Sequence, residues 1–438
     1  MGTRPLHLGL ASVPLVTRSF ESRSADWLGV REALHRIMGG AEPLDAQSVP
    51  LESSLGLALA RDVVADVTLP PWDNSGMDGY AVRAADVRGA TASAPVRLAV
   101  TRQVRAGDPR GAEIGEGEAV RIMTGAPVPP GADSVVRVED TDAEGDAGVV
   151  LIGDDRDAGQ NVRPAGQDMR PGELLLAKGH TVSSGSLGVL AAAGLGQVSV
   201  HRPASVAVLT TGDELRGPER FDDVRSGQGI PDSNGPMLAA MIAEAGAEPR
   251  RLRIAEDDPA TLAARIAEAA SADVLVTVGG ASMGEADLVK RVLDAHGYEP
   301  GFWRVRMRPG SPVGFGWLPR GERRQPVFSL PGNPASAFVT FEVLVRPFLR
   351  RLGGHARTER WTIVCRTAAP LRTPATLTYF LRVAVDGAGR DATVRLTGSQ
   401  GSGLVSGLAR TEGLTIIQED VSSLEEGDEV TVMLIREP

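Results

Sequence analysis

A chain of 438 residues exceeds the roughly 100 to 200 residues usual for one domain, so several domains with ample core are expected. A net charge of -10 and an isoelectric point near 5.3 argue against a nucleic acid or an anionic membrane as the principal partner, so any anionic ligand must be met by a local basic cluster. Cys365 is the single cysteine, which excludes an intrachain disulfide framework, a thiolate zinc site and an iron–sulfur cluster and fits a reducing cytoplasm. Lys178 and Lys290 are the only lysines. The basic cluster must therefore be arginine, which grips oxyanions through a planar fork and cannot act as a base.

The N-terminal stretch Leu6 to Val16 is mildly apolar but contains His7 and Pro14, and no run approaches the roughly 20 apolar residues a bilayer requires. Neither a signal peptide nor a membrane span is expected, and residues 1–24 read as a disordered lead-in. Asp26 is placed to cap a helix carrying Leu28, Ala33, Leu34, Ile37 and Met38, ended by Gly39-Gly40. Val63 and Val64 suggest a strand. PPWDNSGMDGYAVR follows, rich in turn formers yet carrying Trp72, Met77 and Tyr80 beside Asp73, Asn74 and Asp78. It reads either as a loop tacked down by its aromatics or as a functional loop.

From Val96 to Val150 the short runs VRLAV, AVRIM and SVVRVED predict a small β-rich module, with the Thr124 hydroxyl at a strand end. Ser183 is predicted to open a helix through Ala193, ended by Gly194. From Val198 strands and helices alternate, the sign of a doubly wound or mixed α/β domain. Predicted there are strand VAVLT before Thr211-Gly212-Asp213-Glu214, a helix from Pro236 to Ala245, a strand over Arg251 to Ile254 before Glu256-Asp257-Asp258, and a helix marked by Leu262 and Ile266. FWRVRMRPG and VFSLPGNPASAFVTFEVLV complete it, the last containing strand Phe328 to Leu330 and a helix from Ala335 to Leu349 broken or ended near Pro347. WTIVCR, TYFLRVAV, ATVRL, LTIIQ and EVTVML then predict a C-terminal β barrel or sandwich.

The stretch ADVLVTVGGASMGEADLVK, Ala272 to Lys290, reads as a buried strand, a glycine turn at Gly279-Gly280 and a helix start with Ser282, Glu285 and Asp287 between them. Free N–H groups there make an anion site. The two carboxylates either complement the helix dipole or share a hard cation with phosphate oxygens. In a doubly wound domain the ligand lies outside the carboxyl ends of the strands. Glu214, Asp257, Gly279 and Asn333 follow successive strands, and Arg304 and Arg308 are expected to flank another. No Ser/His pair with a supporting acid stands out, so metal, positioning and charge are the expected means of catalysis.

Taken together, PPWDNSGMDGYAVR, RIMTGAPVPPGAD, TTGDEL, GGASMGEAD, FWRVRMRPGSP, SLPGNPASAF and TGSQGSG, in that order, resemble the MoeA family of molybdopterin molybdenumtransferases, related to the gephyrin E domain. The resemblance implies a multidomain α/β plus β protein. Its parts would be an elongated, segmented domain (25–69 and 162–197), an inserted β domain (70–161), a MogA-like α/β domain with a parallel-rich sheet (198–353) and a C-terminal β-barrel-like domain (354–438). It implies a cytoplasmic homodimer with a shared active site, Mg²⁺ as cofactor, and insertion of molybdenum from molybdate into adenylylated molybdopterin with release of AMP. The molybdopterin adenylyltransferase is a further expected partner, and neither nucleic acid nor membrane is.

Carried over by motif, the implied catalytic residues are Asp73, Thr124, Asp257 and Asp287. The implied substrate-binding residues are Asp168, Gly279, Gly280, Ser282, Arg304, Arg308, Asn333, Arg382 and Ser402, and the implied metal ligands are Glu214, Asp257 and Asp287. Asp73 and Thr124 would come from the partner subunit. Ser311 stands where a lysine is common, removing one cation from the pocket. Two rival readings are an adenylyltransferase-like enzyme, whose fold shares the α/β domain, and a noncatalytic gephyrin-like scaffold.

Overall fold

The computed structural model describes residues 27–142, 148–279 and 288–436. Asp26 and the Gly280 to Asp287 part of the glycine turn lie outside these residues. By its internal contacts the chain divides into two units, one comprising residues 61–178 and 184–196 and the other the rest.

In the smaller unit the alternating runs form strands β1 (Gly79–Val82), β2 (Val96–Val104), β3 (Glu118–Ile122), β4 (Ser134–Arg137) and β5 (Val149–Ile152). Their order in the sheet is β4-β1-β3-β2-β5, antiparallel except for β2 with β3. Tyr80, Val82, Leu98 and Val136 pack on one face and Ala81, Val120, Ile122 and Val135 on the other, so neighbouring residues of β1 serve opposite cores. Val63–Val64 pairs with Leu174–Leu176, which joins distant stretches of sequence, and a helix spans Ser184–Ala192.

In the larger unit, α1 (Val30–Met38) follows Gly29, and Ala33 and Ile37 are its buried residues. The α/β sheet contains β6 (Ser205–Thr210), β7 (Glu248–Arg251), β8 (Val274–Val278), β9 (Glu299–Phe302), β10 (Gly314–Arg320) and β11 (Arg323–Leu330). The order is β7-β6-β8-β11-β10-β9, parallel from β7 through β11 and antiparallel at the other edge. Val206, Val208, Val274, Val276 and Phe328 face one core. Ala207, Leu209, Leu275 and Val327 face the other. Such alternation between two buried faces explains the near-continuous apolar runs.

Helices α2 (Asn234–Glu244), α5 (Pro334–Thr340) and α6 (Arg346–Leu352) pack with α1 on the first face, and α3 (Pro259–Glu268) and α4 (Leu288–Ala295) on the second. Asp258 caps α3 by accepting from the Thr261 N–H at 2.8 Å, and Pro259 occupies its first turn. The strand expected over Arg251 to Ile254 lies earlier, at Glu248–Arg251, because Ser205 to Val208 of β6 pair with these residues. Pro347 does not end the last helix. The chain widens into a π turn over Phe341–Val345 and resumes as α6, a local adjustment that absorbs the proline's missing N–H.

The five C-terminal runs are β12 (Thr362–Thr367), β13 (Thr378–Asp386), β14 (Thr393–Leu396), β15 (Gly413–Ile417) and β16 (Glu429–Leu434). They close in the circle β13-β14-β12-β16-β15-β13, a barrel rather than a sandwich. Closure removes the open edges that strands of this length would otherwise expose. Among the described residues no helix is long and apolar enough to cross a membrane.

Candidate active site

Because β7, β6, β8 and β11 are parallel, the residues after their carboxyl ends share one edge of the sheet. There a cavity of about 1000 Å³ is lined by Glu214, Asp232, Asn234, Asp257, Gly279 and Asn333, among others. Gly279 has φ +103, and a Cβ on it would come within 2.7 Å of the Thr211 carbonyl oxygen and 2.8 Å of its hydroxyl. Only glycine fits this crossing of strand ends. Asp273, at the opposite end of β8, accepts from Arg202 at 2.7 and 2.9 Å and from the Ser205 N–H at 2.8 Å, a structural anchor.

The cavity's charged lining is Glu214, Asp232 and Asp257 against Arg291, acidic on balance. Asp213 accepts the Asp257 N–H at 2.9 Å. Desolvation, then the charges of Asp213 and Glu214, raise the Asp257 carboxyl above its ordinary range despite that hydrogen bond. Crowded carboxylates whose mutual repulsion a hard cation would relieve are the donor chemistry Mg²⁺ prefers. Among the described residues no three metal-capable side chains converge on one point. Asp287, the third expected ligand, lies outside them, as do Gly280 and Ser282.

Asp232 and Asn234 were not anticipated. Asp232 is buried at the entry to α2, accepting from the Gly235 N–H at 2.8 Å and pairing with Arg251 at 3.3 Å. Asn234 donates to the Gly332 carbonyl at 2.7 Å, while its own Oδ1 and the Thr211 hydroxyl are buried polar atoms without a hydrogen-bond partner among the described residues. The run Asp232-Ser233-Asn234, directly before a helix, was the available signal.

A second cavity of about 780 Å³ adjoins the first, and Pro312, Pro331 and Asn333 line both. Its charged lining is Arg304, Arg308 and Arg372, with no carboxylate among the lining residues. Arg304 and Arg308 do not flank a strand of the α/β sheet, as expected. After β9 the chain leaves the sheet, and Met307–Arg308 pairs in parallel with Thr378–Tyr379 of the barrel. Val305 and Met307 are fully buried, so the alternation Arg304, Arg306, Arg308 faces outward. Arg306 pairs with Glu419 at 3.0 Å. Among the described residues no ion pair joins Arg304 or Arg308 to a carboxylate. The Ser311 hydroxyl donates to the Met307 carbonyl at 2.5 Å, closing its own turn.

Ser402 accepts from Asn333 Nδ2 at 3.1 Å, and its carbonyl accepts the Ala335 N–H at 3.0 Å. Arg382 is wholly buried and lines neither cavity. It donates to the carbonyls of Ser399 at 3.0 Å and Gly401 at 3.3 Å, and its backbone N–H donates to Gln400 at 2.8 Å. It thus secures the loop that carries Ser402.

The smaller unit brings Asp73, Thr124 and Asp168 onto three hydrogen-bonded loops. Asp73 accepts the Ala165 N–H at 2.8 Å, and its carbonyl accepts the Val128 N–H. The N–H of exposed Asp168 donates to the Leu69 carbonyl. Both the N–H and hydroxyl of Thr124 donate to Asp78, at 2.7 and 2.8 Å. These two bonds, the backbone one first, hold the Asp78 carboxyl below its ordinary range. Asp78 is a third unanticipated member, present in the same motif as Asp73.

Residues 28–194 match the MoeA N-terminal region (domain I and II), 207–351 a probable molybdopterin binding domain, and 365–435 the MoeA C-terminal region (domain IV). Molybdopterin molybdenumtransferase 2 of Mycobacterium tuberculosis is 38% identical over 391 residues, 88% of this chain and 94% of that relative. The chain belongs to the MoeA family. A further MoeA-family relative, the molybdopterin molybdenumtransferase of Synechococcus elongatus, is 37% identical over 78% of this chain and 83% of its own. Two crystal structures of molybdopterin biosynthesis MoeA proteins from Pyrococcus horikoshii superpose with TM-scores of 0.74 and 0.79. They are 33% and 25% identical, covering 94% and 93% of this MoeA-family chain and all of theirs.

Proposed function

We infer that this chain is a molybdopterin molybdenumtransferase of molybdenum cofactor biosynthesis, converting adenylylated molybdopterin and molybdate to molybdenum cofactor with release of AMP. The observation that carries the reading is the juxtaposition of an acidic and a basic cavity sharing Asn333, Pro312 and Pro331. A phosphorylated substrate and an oxyanion make opposite demands on a protein. The phosphates bring negative charge that carboxylates tolerate only through a cation, whereas molybdate requires cations directly.

Glu214 and Asp257, with Asp287, would hold Mg²⁺, which supplies charge neutralisation at the phosphoanhydride oxygens when bound. The raised Asp257 carboxyl supports that placement. Backbone at Gly279 and the Asn333 turn approach the nucleotide, and Gly280 and Ser282 are further substrate contacts in this reading. Arg304 and Arg308 receive molybdate, with the Ser402 loop held over them by Arg382. The working unit we propose is a cytoplasmic homodimer whose partner copy contributes Asp73, Thr124 and Asp168. Within each copy, segments 25–69 and 162–197 form one domain and 70–161 the inserted one. The adenylyltransferase hands over the nucleotide.

Incubating the purified protein with adenylylated molybdopterin, molybdate and Mg²⁺ should release AMP together with molybdenum cofactor. Absence of AMP from active substrate contradicts the assignment.

A further inference from the structure

Two of the three arginines lining the basic cavity, Arg304 and Arg308, each lie beside an aromatic side chain from another part of the fold. The Arg304 guanidinium carbon lies 5.3 Å from the centre of the Trp27 ring, within the range of a cation–π contact. Trp27 itself lines the cavity. Its place is fixed by backbone: Leu28 bridges Val305 in parallel, the Arg306 N–H donates to the Leu28 carbonyl at 2.8 Å, and the Arg306 guanidinium donates to the Trp27 carbonyl. Arg308 is matched with Tyr379 in the strand pairing to β13, and its charge acts on the Tyr379 phenol against the burial that raises that group's pKa. Tyr379 is buried and lines the same cavity.

Arginine side chains carry large rotamer entropy, and two cations facing one cavity repel each other. With no ion pair to a carboxylate among the described residues, something else must keep both forks aimed into the cavity before the anion arrives. We propose that Trp27 and Tyr379 are the positioning residues that pre-set Arg304 and Arg308 for the oxyanion. The N-terminal segment and the barrel thereby become parts of the anion site. The inference rests on the reading of this cavity as the one that receives molybdate.

The test uses the full-length protein and measures AMP release against molybdate concentration at saturating nucleotide and Mg²⁺. Trp27→Leu keeps apolar bulk but removes the π face, and Tyr379→Phe removes only the hydroxyl. Each should raise KM for molybdate about five-fold with kcat within about two-fold of the parent. Trp27→Phe, which restores a π face, should stay within about two-fold of the parent KM. A merely structural role would lower melting temperature or kcat and leave KM unmoved, which overturns the proposal. Equal KM values for Trp27→Leu and Trp27→Phe also overturn it. If Trp27→Leu fails to fold, Tyr379→Phe and Trp27→Phe decide. Arg304→Ala, measured alongside, separates the two levels. A raised KM there with both aromatic variants unchanged removes only the aromatic seats, whereas an unchanged KM in Arg304→Ala removes the molybdate reading itself.

Discussion

Gly279 shows how one residue can determine a site. Its backbone conformation disfavours any side chain, and Thr211 occupies the space a Cβ would need. Gly279→Ala is expected to destabilise the protein by about 1–3 kcal/mol, the usual cost of a strained backbone, and to lower AMP release. Urea unfolding with the nucleotide assay checks both. Asp257 illustrates the opposite case, a residue whose environment is unfavourable until a ligand arrives. Its raised carboxyl pKa means the folded state holds the proton more tightly than the unfolded chain, so ionisation above the ordinary range costs stability. Asp257→Asn should therefore be no less stable than the parent in metal-free thermal melts. It should also lose most of the stabilisation that added Mg²⁺ gives the parent.

At the scale of elements, sequence period was informative wherever one or both faces of an element are buried. The alternating runs of the inserted sheet and the apolar runs of β6 and β8 were legible because burial demands them. The RVRMR run carried its own signal, two buried residues between three outward arginines, but its pairing with the barrel was not legible. That pairing depends on a long-range register between Arg308 and Tyr379 that no local pattern encodes. Near Pro347 the α-helix is broken by a π turn over Phe341–Val345 and then resumes, one of the two outcomes the proline signalled.

Downstream of α6, buried His355 hydrogen-bonds Thr181 at 2.7 Å, and Arg350 donates to the same hydroxyl at 3.1 Å. Desolvation first, then Arg350, Arg346 and His201, lower the His355 pKa to about 3. A depressed histidine pKa leaves its contribution intact above about 6.5. The contribution falls as pH drops toward 3, by at most about 1.4 kcal/mol per pH unit, because the unfolded chain takes up the proton first. His355→Gln should accordingly flatten the loss of stability between pH 6.5 and 4 in urea titrations. A slope equal to the parent's would contradict this origin.

At the scale of the whole molecule, the families of motifs sort into two groups of loops. Glu214, Asp257, Gly279 and Asn333 meet at one sheet edge because parallel strands deliver their carboxyl ends together, and this followed from strand–helix alternation alone. Asp73, Thr124 and Asp168 meet on loops of the smaller unit, through contacts such as Asp73 with Ala165 that are 92 residues apart in sequence. Separation of that kind hid Asp78 as the partner of Thr124. If the site is shared across a homodimer, Asp73→Ala and Asp257→Ala chains, each inactive alone, should recover about a quarter of parental activity after random re-association, since half the dimers then hold one intact site. No recovery, with mixed dimers verified by differential tags, would sink the shared-site arrangement.

The division of labour between the two cavities is tested most directly by AMP release titrated separately with Mg²⁺ and with molybdate. The titrations compare the parent, Glu214→Gln and the Arg304→Ala/Arg308→Ala double variant. Glu214→Gln should raise the Mg²⁺ requirement by about ten-fold or more and leave molybdate dependence in place, and the arginine variant should do the reverse. Crossed or indistinguishable responses would contradict the account.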